Sequence, residues 1–353
     1  MYDRLVRDTW TDATILQFFA DQIDQMDLCL DQLAMRERNF DRFAIVLVDN
    51  VVELTLHRHV RDTYSAAMMI RGTDRPRHDL HLLRKALGQE FRPKVELAKQ
   101  SRMLSVAVAD SICSLHEFRN RAYHAGDRHE AVLHALAIFY FEIACTVLAA
   151  YRPRGWSRST DDKLSHRTLK YIGTGDGVSL ATDFLAVWRR LQEVGSALGD
   201  SLLADLGADL EQTIETVDDQ IRFLVDNDVS PSGRSREEVI AEAELSDAMF
   251  SDDGHKFAVD HGGPTTGPEY FNWMRENYQC TIQGDPIPGW RNELCRLRAQ
   301  TDRHRALRIY CGFMKDTNRL RGVIDGAAAS LDEYIQSQID AAREDPGPEP
   351  ETP

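Results

Sequence analysis

Apolar residues recur at spacings of three and four along nearly the whole chain, and no stretch alternates apolar and polar residues long enough to build a sheet. That period matches the 3.6 residues of a helical turn and turns one stripe of each segment toward a core. Ile15, Phe18, Phe19, Ile23, Met26, Leu30 and Leu33 form such a stripe within residues 11–38. Asp41 is placed to N-cap a second helix that carries Phe43, Val46, Leu47, Val51, Leu54 and Leu56 to about residue 64. Shorter helical stretches follow at 79–87 and 93–97, then longer ones at 106–124 and 130–151. The fold class predicted is all-α.

Arg152-Pro153-Arg154-Gly155 ends this run, and the polar, Gly-rich residues behind it read as a linker. Helical spacing resumes at 180–198 and at 202–227, where Leu206, Leu210, Ile214, Val217, Ile221 and Leu224 repeat. It returns at 236–250, 268–277 and 289–342, with 251–269 irregular. The organisation predicted is a helical domain over 1–153, a linker over 154–180, and a second, mostly helical domain over 181–342. Trp188, Trp273 and Trp290 are assigned to the core of that second domain or to its packing on the first. The acidic, Pro-rich tail 343–353 has the composition of a disordered segment.

Charge narrows the function classes. A net charge of -15 argues against passive, non-specific binding of nucleic acid. Residues 1–150 nevertheless carry 19 Lys and Arg against 21 Asp and Glu, and residues 51–130 carry 14 against 10 with seven of the twelve histidines. A locally basic, His-rich region in an acidic chain points to a confined anion site. The most apolar stretch, 131–150, is interrupted by His134 and Glu142, so it reads as a buried core helix and not a membrane span. Met1-Tyr2-Asp3-Arg4 has neither region of a signal peptide. The six widely spread cysteines read as reduced, buried thiols. Together these predict a cytoplasmic protein with no membrane partner.

Several Arg–His pairs have four to six residues between them, and context separates one from the rest. In Arg119-Asn120-Arg121-Ala122-Tyr123-His124 an Asn follows the Arg directly, and helical stretches flank the segment. In a helix Asn120 and His124 lie about 40° apart around the axis, with Arg119 alongside. One helix end then carries a guanidinium, an amide and an imidazole. Arg71, Arg75 and Arg77 of the basic loop around Gly72 and Pro76, together with Arg121, are candidates for extending a phosphate-binding surface. His57-x-His59 and His78-x-x-His81 lack a completing Cys or carboxylate, so no metal ligand is assigned.

The Arg119-Asn120-x-x-x-His124 motif resembles that of the HEPN superfamily, small helical bundles whose ribonuclease members carry Arg, a polar residue, three others and then His. The likeness extends to the layout over about residues 10–152: an apolar helix with an internal acid, here 43–54, and a long core helix after the motif. The fold implied is a HEPN-like helical bundle followed by a second helical domain. The activity implied is metal-independent endoribonuclease cleavage of RNA by 2′-hydroxyl attack, with Arg119 and His124 catalytic, Asn120 supporting, and no cofactor. The resemblance also implies a homodimer through the first domain and, by analogy, a toxin or antiphage effector with a regulatory partner or antitoxin. Nucleotidylated members place a Tyr two residues after the His; here that position is Gly126, so that regulation is not implied. The alternative is a non-catalytic HEPN-like scaffold or nucleotide-binding assembly protein. In it Arg119 is a surface partner of Glu117 or Asp127, and His124 merely ends its helix.

Overall fold

The computed structural model describes residues 12–69, 80–124, 130–152, 163–173, 181–227, 233–282 and 284–344, with backbone only at a few helix ends, 121–124 and 130–131 among them. Fifteen helices and no strand make up the described residues, so the fold class is all-α. The chain divides into two compact units. One comprises residues 1–209 with 300–308, and the other comprises 210–299 with 309–353.

In the first unit α1 (Asp12–Ala34), α2 (Arg38–Met69), α5 (Val106–His124) and α8 (Ala181–Ser196) surround α6 (Glu130–Ala150). α6 earns its place at the centre by composition: Val132, Leu136, Phe139, Phe141, Ala144 and Leu148 are buried on every side of it. The 132–150 segment is long and apolar enough to cross a membrane, and 83% of that window is buried inside the unit. Its buried polar side chains each have a partner, although Nε2 of His134 is left without a hydrogen bond. His134 lies 2.6 Å from Asp41, Tyr140 donates to Asp49 at 2.6 Å, and Glu142 accepts from Ser196 and faces Arg303 at 2.8 Å. Pairing of this kind is what makes burial of polar groups tolerable.

α2 corrects two sequence expectations. It starts at Arg38, so Asp41 lies inside the first turn, buried against His134, and does not cap the helix. Its core face is Ala44, Ile45, Val48, Val51, Val52 and Leu56, while Phe43 and Leu54 are exposed. This places the acid Asp49 on the buried side.

α3 (Leu80–Ala86) and α4 (Phe91–Gln100) pack against each other and α2. α7 (His166–Ile172) occupies part of the expected linker and belongs to the first unit. Thr168 donates to the Ala20 carbonyl and to Asp24, and Arg167, Lys170 and Tyr171 converge on Asp27 of α1. α8 likewise joins the first unit, because Phe184 stacks on Phe19 at 4.3 Å and Trp188 is buried beside both. Gly195 permits the approach of α8 to α6, since a Cβ there would stand 2.7 Å from the Phe141 ring. The first unit therefore extends to Asp209, within α9 (Leu202–Asp226). Trp188 packs there and not in the second.

The second unit holds the rest of α9 with α10 (Arg236–Phe250), α11 (Asp252–Asp260), α12 (Gly267–Asn277), α13 (Ile287–Arg298), most of α14 (Arg303–Asp316) and α15 (Asn318–Glu344). Ser235 and Glu238 form a reciprocal capping box on α10. Ser251 caps α11, a helix inside the stretch expected to be irregular. Buried Glu244 accepts from the backbone of Thr281 and Ile282 and fixes that connection. None of the six cysteines is in a disulfide: Cys29 and Cys145 are buried, Cys113, Cys280 and Cys311 half-buried, and Cys295 exposed, so only two match the buried thiols expected.

Candidate functional site

α5 carries the motif. Glu130 opens α6 shortly after it, and α5 itself is helical from Val106 through His124. At 1.5 Å of rise per residue, Arg119 to His124 spans about 7 Å of helix axis. Asn120 and His124 stand one turn apart on the same side. The side chains of Arg121 and His124 lie outside the described residues, as do Arg71, Arg75, Arg77 and His78 in their entirety. Arg119 and Asn120 are described, and their contacts define the site.

Arg119 reaches inward. Its Nε is 3.5 Å from Oδ2 of Asp49, an ion-pair distance without hydrogen-bond geometry, and its Nη1 donates to Oδ1 of Asn120 at 2.8 Å. The side chain stays 33% exposed, although its Nε is buried. Glu117, one of the two partners the sequence offers, pairs instead with Arg92 of α4, and the other, Asp127, lies outside the described residues.

Asp49 collects more than Arg119. Only 1% of its side chain is exposed, and it accepts from the Tyr140 hydroxyl at 2.6 Å and from Nδ1 of His116 at 3.0 and 3.1 Å. A buried carboxylate needs this number of donors to remain charged. Burial and the neighbouring Asp49 charge push the Tyr140 phenol well above its ordinary range, so it remains a proton donor. His116 lies flat on Phe91, with ring centroids 3.9 Å apart and planes 8° apart. Three helices thus contribute to one polar cluster: Asp49 from α2, His116, Arg119 and Asn120 from α5, and Tyr140 from α6.

The sequence motif contains two of those five residues. Asp49 carries only the weak signal of an acid in an apolar helix. Tyr140 has none, and His116 shows only in retrospect, one turn before Arg119 on the same face.

Of the two His pairs weighed for metal, His59 is tied to Ser101 at 2.8 Å. His57 is half-buried, and burial together with Lys94 and Arg61 depresses its pKa. Among the described residues no group of three or more His, Cys, Asp or Glu side chains is placed to hold a metal ion. A cavity of about 680 Å³ lies in the second unit between the end of α9, α10 and α15.

Comparison of the chain with known protein families, curated proteins and solved structures returns no match.

Proposed function

We propose that the chain is a HEPN-type endoribonuclease that cleaves RNA without a metal ion, using Arg119, Asn120 and His124. The observation that supports it is the seat of Arg119. A guanidinium held by a buried carboxylate and an adjacent amide keeps its orientation while a third of the side chain remains exposed. Such a group binds a phosphate oxygen and faces the charge that grows as the pentacoordinate phosphorus forms. The Asn120 amide orients the guanidinium. His124, in the last turn of the same helix, is the titratable group for proton transfer near neutral pH. Pairing of two copies through the first unit and control by a second protein, as for a toxin or antiphage effector, belong to the same proposal. The second unit takes the regulatory role in it.

A second reading rests on the same contacts. If Asp49 and Asn120 saturate Arg119, the cluster only ties α5 to α2, and the protein is a scaffold or nucleotide-binding assembly module.

Cleavage assays separate the two. The full chain is incubated with single-stranded RNA in EDTA beside Arg119→Ala and His124→Ala. The ribonuclease reading requires cleavage by the wild type and a fall of about 10²-fold or more in each variant. Equal activity in all three removes it.

A further inference from the structure

Cutting RNA with its own 2′-hydroxyl needs two proton transfers, one from O2′ and one to the leaving O5′. The motif supplies one imidazole per chain, so a single chain needs another to carry both transfers. A second imidazole on the same helix has the surroundings of a directed base.

His116 stands one turn before Arg119 and Asn120 on α5. Its Nδ1 faces both oxygens of Asp49, which the Tyr140 hydroxyl also holds, so Nδ1 carries the proton of the neutral ring and Nε2 carries the lone pair. Stacking on Phe91 fixes the plane of the ring. The side chain is 18% exposed, and Nε2 has no hydrogen-bond partner among the described residues. A carboxylate behind Nδ1 and an accessible Nε2 is the arrangement by which an Asp selects the tautomer of a general base. Arg119 lies against the same carboxylate, so its guanidinium and the His116 ring are held beside one anion.

On the ribonuclease reading, we propose that His116 is the proton acceptor of the reaction. Nε2 of neutral His116 takes the 2′-hydroxyl proton as the O2′–P bond forms. The P–O5′ bond breaks, and O5′ leaves with a proton from the His124 imidazolium. Arg119 faces the non-bridging oxygens throughout. The products are a 2′,3′-cyclic phosphate and a 5′-hydroxyl, and proton exchange with water resets the two rings. The charged and titratable groups around His116 are Asp49 from α2, Tyr140 from α6, Arg119 and Glu117 on α5, and Arg92 from α4; Glu53 and Lys94 stand one turn further along α2 and α4.

His116→Asn is the discriminating variant, because its amide nitrogen occupies the place of Nδ1 and still donates to Asp49 but accepts no proton. The expected result is a single-turnover rate lowered by about 10²–10⁴-fold, with RNA affinity and melting temperature little changed. The acid-side fall of the wild-type pH–rate profile, where the base becomes protonated, should be absent from the variant. Free imidazole added to His116→Gly should restore cleavage in proportion to its concentration. A His116→Asn protein with the wild-type rate and profile, beside an inactive His124→Ala, overturns the role of His116 and leaves the ribonuclease reading standing. A His116→Gly rate indifferent to imidazole does the same. Absence of cleavage by the wild type overturns both.

Discussion

Asp49 organises the site from beneath, and its replacement measures how much the cluster depends on it. Asp49→Ala leaves the buried Tyr140 hydroxyl without its acceptor and removes the anion between His116 and Arg119. Loss of one member of a buried polar network costs about 3 kcal/mol. Urea unfolding should show a loss of that order, whereas a change under about 0.5 kcal/mol would mean the cluster is not built as described. Arg119, Asn120 and His124 are legible in the sequence because they share one short segment. Asp49 and Tyr140 are not, because they come from α2 and α6, 70 and 21 residues from Arg119. The apolar stripe read over α2 also points the wrong way. Phe43 and Leu54 outweigh the smaller Ala44, Val48 and Val52 in any count of hydrophobicity, yet the smaller residues allow the close packing against α1 and α6.

At the level of elements, long helices with an apolar stripe were readable and short ones held by polar contacts were not. Residues 106–124 and 236–250 are helical over the bounds their periodicity marks. α7 escapes that test because ionic and hydrogen-bonding groups seat it: Arg167, Lys170 and Tyr171 on Asp27, and Ser165 and Thr168 on Asp24. α11 escapes because its nine residues offer little apolar repeat. Burial works to raise the Asp27 pKa, but the hydrogen bonds from Lys170, Tyr171 and Arg167 outweigh it and hold it below the ordinary 3.8. A carboxylate with a depressed folded-state pKa contributes stability above its unfolded value, and that contribution is lost as pH falls through the folded one. The attachment of α7 to α1 should therefore hold at neutral pH and loosen below about pH 4. Hydrogen exchange of residues 167–172 checks this: protection unchanged from pH 7 to pH 3 would contradict it.

For the whole molecule, the charge distribution sets how RNA can be held. Nearly all the excess acid lies in residues 151–353, so any polynucleotide must be gripped at few points in a generally repulsive field. Two phosphate contacts, as at Arg119 and Arg121 in the proposed site, correspond to a slope of about -1.4 in log affinity against log salt for a single strand. Fluorescence anisotropy across a salt series measures that slope, and a value steeper than about -4 would require a broad basic surface in place of a confined site. The division into two units follows packing and not the Gly-rich break visible in the sequence. The first unit draws its last residues from 300–308, where Arg303 faces the buried Glu142 and His304 meets Ser111 at 2.8 Å. This has a consequence for synthesis on the ribosome. A growing chain that has passed Asp209 still lacks the cation opposite Glu142, and some ninety further residues must emerge before that vacancy at the central helix is filled. The domain bearing the motif is thus finished late in translation, after most of the partner unit has already been made.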